Sequence, residues 1–171
     1  NIFKAFFMAG GPVSGKSFAV QKGIGQVQKG VRVTAQGLKV VNSDDIFEKY
    51  LKDAQLDFKM QAGQKSERDK LRTKAKEVTR KRQDNYIEGR LGMVIDGTGK
   101  DYGKITTQAS GLKQLGYDVH MIFVNTSLDV ALERNAQRPR SVPEKIVKDS
   151  WNQVQKNIGA FQRFFGNKNF I

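Results

Sequence analysis

Gly10-Gly11-Pro12-Val13-Ser14-Gly15-Lys16-Ser17 matches the spacing G-x-x-x-x-G-K-[ST]. Glycines at these places let the backbone curl until successive N–H groups converge on one anion. A helix starting at Lys16 would aim its positive end at the same point. Lys16 then supplies a cation for the β and γ phosphates of a nucleotide, and the Ser17 hydroxyl suits Mg²⁺. ATP and Mg²⁺ are therefore the expected cofactors. The expected nucleotide contacts are Gly11, Pro12, Val13, Ser14, Gly15, Lys16, Ser17 and Phe18. A phosphate cradle does not name the recipient of the phosphate: water makes an ATPase or switch, another molecule makes a kinase.

Three further clusters bear on that choice. Asn42-Ser43-Asp44-Asp45 follows an apolar run that reads as a strand, so both carboxylates fall at its carboxyl edge. Phosphorylating an alcohol needs a carboxylate there to take the hydroxyl proton. Ser43 and Asp44 also suit the N-cap of the next helix; one residue can cap while its neighbour faces a cleft. Val94-Ile95-Asp96-Gly97-Thr98-Gly99 ends another such strand. Asp96 can hold a Mg²⁺ shell with Ser17, or contact the acceptor, as can Thr98 beside it. The third cluster is Glu133-Arg134-Asn135-Ala136-Gln137-Arg138-Pro139-Arg140. Guanidinium groups so spaced suit an anion clamp that neutralises transferring phosphate and excludes water. Arg134 and Arg138 are the expected clamp, and Arg140 an acceptor-side cation.

These side chains need elements to carry them. Ile2 to Ala9 is a nearly continuous apolar run, as in a strand buried on both faces. Helix is expected from Lys16 to Gln28, and a glycine-spaced stretch, Gly30 to Gly37, leads to a strand from Leu38 to Asn42. A helix follows over Asp44 to Ala54, then a loop through Met60 and Gly63. Ser66 to Glu88 reads as a long charged helix. Strand Gly92–Asp96, helix Tyr102–Leu115 ending at Gly116, strand Tyr117–Asn125 and helix Ser127–Gln137 come next. Ser141-Val142-Pro143-Glu144 reads as a cap, an early proline and a capping-box glutamate. The helix they open carries the stripe Val147, Trp151, Val154, Ile158, Phe161, Phe165. Strands alternating with helices predict an α/β fold, a parallel sheet with helices on both faces and ligands at the strands' carboxyl ends.

With 171 residues the chain reads as a single domain, residues 1–171. The start at Asn1 and the strand-like Asn169-Phe170-Ile171 read as a piece of a longer polypeptide. The absence of cysteine excludes disulfides, thiolate metal sites and a thiol nucleophile. One histidine, His120, argues against a histidine metal cluster or a Ser-His-Asp triad, and its setting reads as a hydrogen-bonded strand residue. No run approaches a membrane span, so no membrane partner is expected. A net charge of +13 favours anionic partners. Much of it sits on the helix at 65–82: Lys65, Arg68, Lys70, Arg72, Lys74, Lys76, Arg80, Lys81 and Arg82. Leu71, Ala75 and Val78 give that helix a buried seam. Its other faces suit either a nucleic-acid backbone or plain solvent.

The cradle, Asn-x-Asp-Asp after the second strand, Asp96 after the third, and Glu-Arg-Asn-x-x-Arg followed by Val-Pro together resemble the kinase domain of phage-type 5′-polynucleotide kinases. They are similar, more loosely, to zeta-toxin-like kinases of nucleotide sugars. Look-alikes occur in tailed-phage genomes. The resemblance implies a three-layer P-loop kinase fold with strand order 2-3-1-4-5 and an arginine-rich lid. It also implies Asp44 as general base, Asp96 at the acceptor side, and Arg138 on the ATP phosphates with Arg134 in support. The implied reaction is transfer of the γ-phosphoryl group to an alcohol, in the (host) cytoplasm, with a polynucleotide 5′-hydroxyl as the leading acceptor. A nucleotide sugar or other small molecule is the alternative, and an ATP-binding or ATPase module a third reading. One departure stands out: polynucleotide kinases carry an arginine three residues after the base, where this chain has Phe47. Arg140 is one candidate to replace it.

Overall fold

Phe7, Met8 and Ala9 are all buried, which requires a strand covered on both faces. In the computed structural model, which describes residues 3–24, 33–58, 62–138 and 141–171, that strand is central. β1 (Lys4–Ala9) pairs in parallel with β3 (Met93–Asp96) on one side and β4 (Asp118–Phe123) on the other. β2 (Lys39–Val41) pairs in parallel with β3, giving the order β2-β3-β1-β4. These are the first four positions of the expected 2-3-1-4-5 sheet. The expected fifth strand is reduced to a parallel bridge, Met121 with Phe170, and three backbone hydrogen bonds tie 169–171 to β4.

Helices cover both faces, as the alternation of elements predicts. One face buries Ala5, Phe7, Met93, Ile95, Val119 and Met121 under α4 (Tyr102–Gln114) and α6 (Glu144–Phe165), through Ala109, Leu112, Phe161 and Phe165. The other buries Met8 and Val94 under α1 (Lys16–Gly23), through Val20, with Ile24 just beyond its end. α2 (Ser43–Asp53) and α3 (Lys65–Glu88) pack together through Phe47, Leu51 and Ala75, and α5 (Leu128–Ala136) completes the set.

Several boundaries differ from expectation. α1 stops at Gly23; Gln28, Gly30, Ile2, Met60, Pro139 and Arg140 lie outside the described residues. Ser141 does not cap α6: Pro143 holds the N-cap position without a side-chain bond, and its carbonyl accepts from Ile146 N at 2.9 Å. The expected capping box is absent because the helix starts at Glu144, which places Ser141 two residues before the N-cap.

Candidate active site

Because β1, β2, β3 and β4 all pair in parallel, the turns after β1, β2 and β3 gather at one edge of the sheet. The turn after β1 is the glycine loop. Gly10 has φ 148°, and a Cβ there would lie 2.4 Å from the carbonyl oxygen of Val124. Gly15, at φ 96°, is the N-cap of α1. Val13 is β-branched yet left-handed, at φ 63°. Such a conformation costs roughly 1–3 kcal/mol and persists where surrounding structure imposes it. Ser14 is 4% exposed, and its Oγ has no hydrogen-bond partner among the described residues. Trp151 supports the loop: its indole N–H donates to Thr126 O at 2.8 Å, and its Cδ1 would lie 3.5 Å from a Cβ at Gly11.

Lys16 folds back over this loop, donating to the carbonyls of Gly10 and Gly11 at 3.0 Å each. Burial pushes its pKa below the usual lysine value; Asp96 and Asp44 oppose that shift and Arg138 adds to it. Charges from three other sequence segments thus bear on Lys16.

Asp96 is held by its turn. Gly97 N donates to Met8 O at 3.2 Å, and Gly10 N to Thr98 O at 2.9 Å. Asn157 of α6 donates to Gly99 O and Lys100 O, both at 2.9 Å. Gly99, at φ 79°, leaves no room for a side chain, since a Cβ would sit 2.8 Å from that of Ala9. Thr98 contributes its carbonyl to the glycine loop, while its hydroxyl accepts from Lys100 N at 3.4 Å within its own turn.

The cap of α2 is neither Ser43 nor Asp44 but Asn42, whose Oδ1 accepts from Asp44 N at 2.8 Å. The register Val41 beside Ile95 brings Asn42 next to Asp96, and Asn42 Nδ2 donates to Asp96 Oδ2 at 2.7 Å. One amide therefore caps the helix carrying Asp44 and holds the carboxylate of β3. Asp44 is released from capping. Its Oδ1 lies 2.7 Å from Arg72 Nη1, and the Arg72 guanidinium lies over Phe47, 4.8 Å from the ring centre. Both partners are about 40% exposed (39% and 44%), so the pair is worth only ~0.2–1 kcal/mol to stability. Arg72 thus covers the ring that stands where the resemblance would place an arginine. Asp45 is separated from its neighbour: it lines a small cavity between β2, α2 and α3 with Thr79 and Arg82.

The arginine segment meets the glycine loop. Arg134 Nη1 lies 3.3 Å from Ser14 O and 3.5 Å from Val13 O, so it braces the loop from outside. Arg138 is exposed, with its charge felt at Lys16. Buried Asn135 donates to Val142 O at 2.8 Å and accepts from Val142 N at 3.0 Å. That double bond staples the two ends of the segment together. Arg140 is outside the described residues, and Ser17 and Phe18 are exposed at the start of α1.

The basic helix divides by role. Arg68 is buried and donates to the carbonyls of Asp57 and Phe58, a structural use that spacing did not reveal. Arg72 belongs to the site, and Lys74 lies over Tyr50. Lys65, Lys70, Lys76, Arg80, Lys81 and Arg82 are exposed. A broad groove on its outer face carries both signs of charge, from Lys65, Lys70, Asp69 and Glu77, and none of the residues around Lys16. His120 stacks on Phe6 with Nε2 2.9 Å from Asp118, in keeping with a strand residue that has a partner.

A Zeta toxin family model matches residues 4–168. The fold is similar to that of the AvrRxo1-ORF1:AvrRxo1-ORF2 complex solved with ATP, with a TM-score of 0.74 at 16% identity over 98% of this chain and 52% of that one. It is also similar to the PezAT chromosomal toxin-antitoxin system of Streptococcus pneumoniae, with a TM-score of 0.62 at 16% identity over 98% of this chain and 66% of that one. This chain therefore spans about half the length of the first of these structures. No curated protein matches it. Among the described residues, no helix is long and apolar enough to cross a membrane.

Proposed function

Because this chain belongs to the zeta toxin family, we propose that it is an ATP-dependent phosphotransferase acting on an alcohol, with residues 1–171 as one kinase domain. The observation carrying this reading is geometric: half-buried Lys16 folds over the glycine loop, and at the same edge of the sheet Asn42 joins Asp96 to the start of the helix that carries Asp44.

The triphosphate of ATP fits the loop at 10–17. The curled backbone and the partnerless Ser14 hydroxyl offer hydrogen bonds that an anion would take up. Lys16 exchanges its two carbonyl partners for phosphate oxygens, which repays the cost of burying its charge. Asp44 accepts the proton of the acceptor hydroxyl while the new O–Pγ bond forms; the bond from Pγ to the β-bridging oxygen breaks and ADP leaves. Arg138 neutralises charge on the transferring group, and Arg134 keeps the loop in shape for it.

Mg²⁺ fits the donor set. Ser17 and Asp96 are oxygen ligands, and among the described residues no cluster of three or more His, Cys, Asp or Glu could hold a metal alone. A site completed by phosphate oxygens and water is the kind Mg²⁺ favours. When bound, the ion would supply charge neutralisation on the phosphates.

Family membership favours a small-molecule alcohol over the polynucleotide 5′-hydroxyl. The polynucleotide reading keeps one supporting observation, the seven exposed cations of α3. Incubation with γ-labelled ATP and Mg²⁺, supplying nucleosides, nucleotide sugars and a 5′-hydroxyl oligonucleotide in turn, separates the two. Lys16→Ala abolishes transfer, and Asp44→Asn lowers it by about 10²–10⁴-fold, the usual worth of a general base. Full transfer by Asp44→Asn would overturn its assignment as the base. Release of free phosphate alone, unchanged by Asp44→Asn, would make the protein an ATPase module instead.

A further inference from the structure

We propose that Arg72 is the acceptor-side positioning residue, and that it selects alcohols carrying a phosphate or carboxylate next to the reacting hydroxyl. This deepens the phosphotransferase reading and rests on it.

Arg72 reaches Asp44 from a different helix, and two contacts set its orientation. The guanidinium carbon lies over the Phe47 ring, 4.8 Å from its centre, and Nη1 meets Asp44 Oδ1 at 2.7 Å. Phe47 is itself buried, at 7% exposure, so the ring is a firm platform. A guanidinium held at both points orients the carboxylate it touches, as a lysine ammonium on a flexible stem does not. Arginine has five N–H donors. Asp44 takes one, and among the described residues the guanidinium makes no other hydrogen bond. The side chain is 39% exposed, so those donors are open to a ligand. Their fork matches the paired oxygens of a phosphate or carboxylate. An anion bound there lies within a few ångströms of the oxygen that takes the acceptor proton. The anion and the reacting hydroxyl must then be close neighbours on one molecule. A net charge of +13 steers such molecules inward.

The test compares acceptor pairs that differ only in an anionic group: nucleosides with their monophosphates, and free sugars with their sugar phosphates. KM and kcat are measured for the wild type, Arg72→Lys and Arg72→Met. The wild type favours the anionic member of at least one pair by about tenfold or more in kcat/KM, the worth of a charged hydrogen bond. Arg72→Met brings that ratio towards one and lowers kcat for both members. Arg72→Lys keeps part of the anion preference but loses kcat. Trp151 fluorescence on ADP titration and circular dichroism show that the nucleotide side and the fold persist. A wild type indifferent to the anion, or an Arg72→Met ratio equal to the wild type's, overturns this proposal alone. Should Arg72→Met fail to fold, a wild-type kcat and ratio in Arg72→Lys overturns it. Transfer to none of the acceptors overturns both this proposal and the phosphotransferase reading.

Discussion

Asn42 and Asp96 are joined side chain to side chain across the ends of β2 and β3, with the amide donating to the carboxylate at 2.7 Å. The same amide accepts from the backbone of Asp44 at 2.8 Å, so the positions of two candidate site carboxylates hang on one residue.

Asn42 variants separate its two tasks. Asn42→Ser keeps a capping oxygen but cannot reach Asp96, so stability changes little and phosphoryl transfer falls. Asn42→Ala loses the cap as well, at ~1 kcal/mol. Urea midpoints and initial transfer rates, taken on both variants, distinguish these outcomes. A Ser variant with the native rate would mean that Asp96 needs no such support.

Lys16 sets an alkaline limit on nucleotide capture. Burial lowers its pKa, so the free protein loses the cation at a lower pH than an ordinary lysine would. kcat/KM for ATP, which reports groups of the free enzyme, declines as pH rises through that lowered value. The sign is opposite for stability without nucleotide. Charging a lysine of lowered pKa costs free energy, so this contribution improves between the folded pKa and the ordinary lysine value. Parallel pH series of kcat/KM and of the urea midpoint should move in opposite directions, with Lys16→Met removing the stability change.

Asn135 is the staple of the arginine segment. Asn135→Ala strands the N–H and carbonyl of Val142 and removes a buried amide, costing ~1–3 kcal/mol. Loosening the segment that carries Arg138 raises KM for ATP several-fold. Thermal unfolding and ATP kinetics check both parts. A variant destabilised to this extent with native KM would show that the staple serves the fold alone.

Much of the nucleotide side was legible from residue types because it is local. A glycine loop between a buried strand and a helix depends on eight contiguous residues and their backbone geometry, with little said by the rest of the chain. The alternation of strands and helices follows from apolar patterning in the same way, whereas the strand order was an implication of the family resemblance. The acceptor side was not legible. Asp44 and Asp45 are equivalent on paper, yet neighbours on a helix point about 100° apart, and packing against α3 sends them to different surroundings. The nine cations of α3 were likewise interchangeable until its rotation buried Arg68 and laid Arg72 on Phe47.

The amino-acid sequence by itself determined the phosphate cradle, the parallel α/β plan and the presence of carboxylates and arginines near strand ends, since each is written in short-range spacing and hydrophobic period. Only the tertiary structure decided which of those charges meet. Arg72 and Asp44 are 28 residues apart, Asn42 and Asp96 54, and Arg134 and Ser14 120. Strand register and the angle at which one helix packs on another bring such pairs together, and both are properties of the assembled core rather than of any one segment.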